Sequence, residues 1–345
     1  MIVGQGLAGT LVAHQAFKNN LSFHVIDNDH FAAATEAAAG LINPITGRNY
    51  VKSWMIDELI PEAQRSYSDL EKLLECPLMY NSMVLRSLKT AEQINKWTES
   101  TARDGYEDYT EDNPDSSDFD EYVNTPLKYG GIKNAWRVDI ALMIKEFRQW
   151  LEKRLLITNT KFDFNKLEVG SDNIVYDQKV YSHVIFCEGY QAIYNPFFSK
   201  LPFQPAKGEA LELKIEAIDT AKFLRDDIFL VPQTNGHFWS GGSYIWKFEN
   251  HLPTEAWKEE WIGKLNQMLK TDYEVVSHKA GIRPSVKGRK PMIGFHKDHP
   301  RVYMFNGLGT KGTSLGPFWA RHLIIDHFIN GSDIDERIDL NRFEY

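Results

Sequence analysis

Apolar positions along this 345-residue chain follow two patterns. Short apolar runs read as buried strands: Ile2–Val3, then Leu21 through Ile26, then Leu211 to Leu213 and Phe229 to Val231. Apolar residues at helical spacing read as amphipathic helices. Leu7, Leu11, Val12 and Ala16 form one such face, stopped by Asn19 and Asn20. Ile140, Ile144, Phe147 and Leu151 form a second within 139–155. Trp257, Trp261, Leu265, Met268 and Leu269 form a third within 256–269. Leu315, Trp319, Leu323 and Ile324 form a fourth near the C-terminus. Strand, helix and strand in immediate succession at the N-terminus predict an α/β unit with a parallel sheet. No apolar run reaches the ~18 residues of a membrane-spanning helix, so none is expected. Nor does the N-terminus have the basic region of a secretory leader. A cytoplasmic protein is the expectation.

The link between the first strand and the first helix carries chemistry. Gly4, Gly6 and Gly9 stand in G-x-G-x-x-G spacing. Gly4 lets the chain turn tightly, Gly6 lets backbone approach a pyrophosphate, and Gly9 lets the helix lie close on the strand. The helix N-terminus, with Leu7 and Ala8 in its first turn, offers free N–H groups to an anion. Asp27 closes the second strand, 18 residues after Gly9. There its carboxylate is placed to accept hydrogen bonds from ribose hydroxyls, with Asn28 beside it. This constellation predicts a dinucleotide site without choosing between FAD and NAD. The first strand is short, only three residues before Gly4, which leaves open a start further upstream.

Charge refines the picture. The net charge is −8, and residues 101–124 alone hold nine acids and one arginine, a net of −8. The remainder balances at 38 basic and 38 acidic residues. With Gly105, Asn113 and Pro114, the acidic segment reads as a solvated excursion, expected to be exposed, mobile and remote from the cofactor. A nucleic-acid partner would need a basic surface, and the totals offer none. The tight cluster Lys287, Arg289, Lys290 reads as a solvated turn. Cys76 and Cys187 are far apart and without metal-ligand spacing, and the eleven histidines are scattered. Two buried thiols and no metal are expected.

Further motifs occur in order along the chain. They are TEAAAGLINPITGR (35–48), VIFCEGYQA (184–192), PAKGEALEL (205–213), FLVPQTNGHFWSGGSY (229–244), AGIRPSVKGRKPMIG (280–294) and NGLGTKGTSLGP (306–317). With the N-terminal motif, this set resembles the D-amino-acid-oxidase-like superfamily of FAD oxidoreductases, nearly end to end. That group includes glycine oxidase, sarcosine oxidase and the oxidative domain of a tRNA-wobble-uridine modification enzyme. The resemblance implies an α/β fold: a Rossmann-type FAD-binding domain and a second, α+β substrate domain with an antiparallel sheet and helices. It assigns 1–76, 128–200 and 279–345 to the FAD domain, and 77–127 and 201–278 to the substrate domain.

The same resemblance implies site residues. Ala39, Gly40 and Leu41, with Ala38, would pass backbone under the flavin, where small residues leave room. Gly189 and Gly281 fall in further cofactor-contacting motifs. Gly307, Gly309, Thr310, Lys311, Gly312 and Thr313 would aim backbone N–H groups at the flavin's electron-rich edge, where negative charge collects on reduction. Arg283 matches the arginine that clamps the substrate carboxylate in glycine-oxidase-like members. Lys311 and Arg48 fall near anion-binding cations of sarcosine-oxidase-like members. The implied reaction is oxidation of a C–N bond of a small amine or amino acid by hydride transfer to flavin N5.

The departures are specific. Phe229 replaces a tyrosine that relatives often place before the LVP strand. Val286–Lys287–Gly288 replaces a Thr-x-Asp. Gly281 stands where covalent members have a flavin-linking cysteine, so non-covalent FAD is expected. The FWSGGS strand lacks the lysine that oxidases place near N5, which leaves oxidase and dehydrogenase both open. Two other readings remain at this stage: a tRNA-modification oxidase, and an FAD-bound protein without turnover.

Overall fold

The computed structural model describes residues 1–28 and 33–343. Its first helix follows the predicted signals closely. α1 (Leu7–Lys18) starts at Gly6 and ends at Asn19, and Asn20 takes a left-handed φ of 57°. The other α-helices among the described residues are α2 (Ile56–Leu74), α3 (Ala91–Thr101), α4 (Ile140–Lys153), α5 (Glu255–Met268) and α6 (Gly312–Arg321). The predicted apolar stripes of α4 and α5 are buried: Ile140, Ile144, Phe147 and Leu151 in one, Trp257, Trp261, Leu265 and Met268 in the other. The helix after Gly312 gives way to wider π-type turns over His322–Ile329.

A six-stranded sheet is built on the N-terminal strand. Ile2–Val3 lies between Val25–Asp27 and Val184–Phe186, parallel to both. Ile157–Asn159 extends one side, and His299–Asn306 followed by antiparallel Met292–His296 extends the other. The second strand is shorter than predicted. Only Val25–Asp27 pairs, because the chain leaves α1 through the left-handed Asn20 and Leu21 remains exposed.

A nine-stranded sheet forms the other half. Its order runs Glu274–Arg283, Ala206–Lys214, Phe238–Gly241, Phe229–Pro232, Phe223–Arg225, Met79–Leu88, Lys128–Val138, Leu41–Ile42, with Thr110–Glu111 added beside Lys128–Val138. The period of two decides what each face does. Leu85, Leu224, Leu230 and Phe238 point to a core shared with α5. Val84, Arg86, Phe223, Arg225, Phe229 and Trp239 have the opposite parity. Arg86, Arg225, Phe229 and Trp239 thereby line a cleft between the two sheets. The expected domain boundaries at 127/128 and 278/279 cut across this sheet, since Lys128–Val138 pairs with Met79–Leu88 and Glu274–Arg283 with Ala206–Lys214.

The acidic segment 101–124 corrects its expectation. It is packed, not a solvated excursion. Tyr106, Tyr109, Phe119 and Val123 are buried, while most of the intervening acids are exposed. The Tyr109 hydroxyl donates to Asp57 at 2.7 Å, the Trp97 indole donates to Asp112 at 3.1 Å, and Lys222 pairs with Asp115 at 2.8 Å. The segment's apolar anchors stand at irregular spacing and give no periodic signal, so charge is the stronger feature of its sequence. None of its residues lines the cleft. Among the described residues, no helix is long and apolar enough to cross a membrane, and no group of three acids, histidines or cysteines is placed to hold a metal ion.

Candidate active site

The cleft has a volume of about 1680 Å³, larger than the roughly 300–1,000 Å³ of a single small-molecule pocket. Every predicted site residue lines it except Gly9. That residue lies beneath the floor. A Cβ there would sit 1.8 Å from the carbonyl oxygen of Gly4, so α1 approaches its strand as closely as backbone allows. Gly6 differs: a Cβ there would meet nothing within 4 Å, so that backbone faces open cleft.

Asp27 is engaged at the end of its strand. Its carboxylate accepts the backbone N–H of Gln5 at 2.8 Å and a guanidinium N–H of Arg148 at 2.6 Å. Arg148 also donates to Asn159 at 2.7 Å. Arg148 comes from α4, more than a hundred residues away, so no local pattern links it to Asp27.

The middle of the cleft is assembled from small residues and backbone. Gly40 takes a φ of 74°, and a Cβ there would stand 1.9 Å from the Val138 carbonyl oxygen. The Thr313 hydroxyl donates to the Leu41 carbonyl at 2.8 Å, and the Tyr67 hydroxyl donates to the Thr313 carbonyl at 2.9 Å. The start of α6 is thereby fixed to the Ala39–Leu41 segment. α6 can lie against α1 because Gly312 and Gly316 face Leu7 and Leu11. Asn306, buried, ties the two glycine turns together. It donates to the Gly189 carbonyl and accepts the Gly307 N–H, both at 2.8 Å. Gly281 has a packing role too: a Cβ there would come within 2.6 Å of the Ala33 carbonyl oxygen. The Thr35 hydroxyl oxygen is buried on the cleft wall without a hydrogen-bond partner among the described residues.

The cations are held in different ways. Arg283 ends the strand Glu274–Arg283; its guanidinium donates to the Ser243 carbonyl at 2.7 Å and lies 4.8 Å over the Tyr244 ring. Gly208, on the neighbouring strand, leaves the space it fills. Among the described residues Arg283 makes no ion pair with a carboxylate. Burial holds its pKa below the ordinary arginine value. Lys311 caps α6 and donates to the Ser53 hydroxyl at 3.1 Å. Burial, then the charge of Arg289, lowers its pKa. Arg48 is exposed at the rim. Arg289 and Lys290 also line the cleft, while Lys287 is exposed outside it.

Sequence reasoning missed several cleft residues. Trp239 donates its indole N–H to the Ala37 carbonyl at 3.0 Å, bracing the segment under the expected flavin position. Glu188 lines the floor beside Cys187, and burial pushes its carboxyl up to about 7, although Asn195 donates to it at 2.6 Å. Arg86 and Arg225 stand on the wall. A signal for both existed: each is a charge at a position whose parity along its strand is otherwise apolar, Val84–Arg86–Leu88 and Phe223–Arg225.

Comparison with known proteins agrees with this architecture. The family model for FAD-dependent oxidoreductases (DAO) matches residues 1–324. An uncharacterized oxidoreductase, YurR, from Bacillus subtilis (strain 168) is 24% identical over 94% of this chain and 93% of its own. The crystal structure of glycine oxidase from Geobacillus kaustophilus superposes with a TM-score of 0.82 at 14% identity, covering 100% of this chain and 98% of that one. Iminodiacetate oxidase from Chelativorans sp. BNC1 gives 0.75 at 17% identity, covering 98% of both chains. The chain belongs to the DAO family of FAD-dependent oxidoreductases, and FAD is its cofactor.

Proposed function

We propose that this enzyme oxidises a C–N bond of a small amino acid or N-substituted amino acid, whose carboxylate is held by Arg283. Gly4, Gly6, Leu7, Ala8, Asp27 and Asn28 would hold the adenosine and pyrophosphate end of FAD. Ala39, Gly40, Leu41, Gly189, Gly281, Gly307, Gly309, Thr310, Lys311, Gly312 and Thr313 would hold the flavin end. Three features support the fit: the unobstructed space at Gly6, the unpartnered Thr35 hydroxyl, and the close backbone approach at Gly40. Bound FAD supplies an acceptor for the hydride released from a C–H beside nitrogen. A neutral amine releases that hydride without a side-chain base, and the cleft needs none. The chain's task is then to orient the substrate and exclude water.

The observation that carries the reading is Arg283. Its guanidinium lies in the cleft, braced by Ser243 and Tyr244, and among the described residues no carboxylate neutralises it. Burying such a charge without a partner is costly, and a substrate carboxylate removes the cost. Lys311 and Arg48 add positive potential to the cleft. FAD is non-covalent on this reading, because position 281 is glycine, and acid precipitation should leave the flavin in the supernatant. The test follows dye reduction and carbonyl formation over a panel of amino acids and amines. Carbonyl product should form from amino acids, and Arg283→Lys should lower kcat/KM about ten- to a hundred-fold, because an ammonium cannot reproduce the bidentate fork. Equal kcat/KM in the variant would remove Arg283 from the site.

A further inference from the structure

Arg86 and Arg225 are left unused by this account, yet they stand together on the cleft wall. They are register partners on adjacent parallel strands, so their Cα atoms are about 4.8 Å apart and their side chains leave the same face. Both line the cleft. Arg225 donates to the Asp227 carbonyl at 2.8 Å and lies 4.6 Å over the Phe229 ring. Arg86 lies 5.8 Å over the Tyr50 ring, and its Nε is buried without a hydrogen-bond partner. Neither makes an ion pair with a carboxylate among the described residues. The acids next in sequence, Asp226 and Asp227, are paired with Lys89. Burial, then the neighbouring Arg86 charge, holds Arg225 down at about 10.

Two like charges side by side on one sheet face repel. Removing them partly from water adds a desolvation cost. An anion between them reverses both effects, and paired guanidinium forks suit a carboxylate. The pair is distinct from Arg283. Four strand steps separate the strand of Arg283 from that of Arg225 and five from that of Arg86, about 19 and 24 Å across a flat sheet before any offset along the strands. All three arginines line the same cleft.

We infer that Arg86 and Arg225 form a second anion site, and that the substrate amine carries a further carboxylate remote from the one at Arg283. This rests on the amino-acid reading above and narrows it to dicarboxylate amines. Phe229 fits the inference: with no hydroxyl, its ring offers Arg225 a stacking surface in place of a substrate hydrogen bond.

The test is calorimetric titration of the FAD-loaded protein with glutarate, adipate, and the monocarboxylates butyrate and pentanoate. A dicarboxylate should bind about tenfold or more tightly than its monocarboxylate counterpart, the effect of one charge-assisted hydrogen bond. That gap should vanish in Arg86→Met/Arg225→Met. Arg86→Gln alone, which keeps the Arg225 contacts, should narrow it and serves if the double variant does not fold. Equal affinities in the wild-type protein, or a gap that survives in these variants, would overturn the inference. If amines reduce the flavin but no gap appears, the amine-oxidising reading stands and the second site falls. If the gap appears and no amine reduces the flavin, the site stands and the reaction assigned above falls.

Discussion

Asp27 enters the site already committed to two donors, Gln5 and Arg148. Removing its carboxylate would therefore do more than weaken a ribose contact. With Asp27→Ala, Arg148 loses a partner in a largely buried setting, which destabilises the fold as well. Asp27→Asn is the cleaner probe, since its amide oxygen still accepts from Gln5. It should weaken FAD binding by about 2–4 kcal/mol, the value of charge-assisted hydrogen bonds lost to the ribose. Equilibrium titration of flavin-free protein with FAD measures this, and an unchanged affinity would place the ribose elsewhere. Glu188 gives a pH signature. Its carboxyl is raised from 4.5 to about 7, chiefly by burial. Between these values the unfolded chain has lost the proton that the folded flavin-free protein keeps. Stability should therefore fall as pH rises through that window, by roughly 3 kcal/mol. Glu188→Gln should remove the fall in a pH series of thermal unfolding midpoints. A wild-type midpoint that tracks the variant across the window would contradict the assignment.

At the scale of elements, the glycine motif separates into parts with different duties. Gly9 makes room for α1 on its strand, whereas Gly6 makes room for a ligand. Gly9→Ala should lower thermal stability and flavin content together, because 1.8 Å from a backbone oxygen is no place for a methyl group. Gly6→Ala should leave the unfolding midpoint of flavin-free protein near the wild-type value while FAD binding weakens. Similar losses of stability in both variants would contradict this division. The helices α1, α4 and α5 are legible from apolar spacing, and the end of α1 from Asn19 and Asn20. The strand Phe229–Pro232 is legible as Phe229 to Val231, whereas Leu211 to Leu213 marks only the end of the longer strand Ala206–Lys214. The partners of those elements were not legible, because pairing depends on long-range register. Lys128–Val138 joins the large sheet through Met79–Leu88, and nothing local in its sequence announces that. The acidic segment misled for a related reason. Its charge is a property of sequence alone, but Phe119 and Val123 are placed by contacts with α5 and its flank.

Over the whole molecule, charge is sorted. The net charge of −8 is matched by residues 101–124, outside the cleft. Inside it, basic residues from the nine-stranded sheet and the connecting loops face only Asp27 and Glu188 among the described acids. A cleft of that kind attracts anions despite an acidic protein around it. Glycines under one half and an arginine-bearing sheet over the other fit a cofactor below and an anionic substrate above. The most direct measurement is anaerobic mixing of the FAD-loaded protein with amino acids and amines, following the visible flavin absorbance. The account predicts rapid bleaching by an amino acid carrying a carboxylate and slow or no bleaching by the corresponding amine without one. An absorbance that stays unchanged with every amino acid, in protein shown to hold FAD, would contradict it.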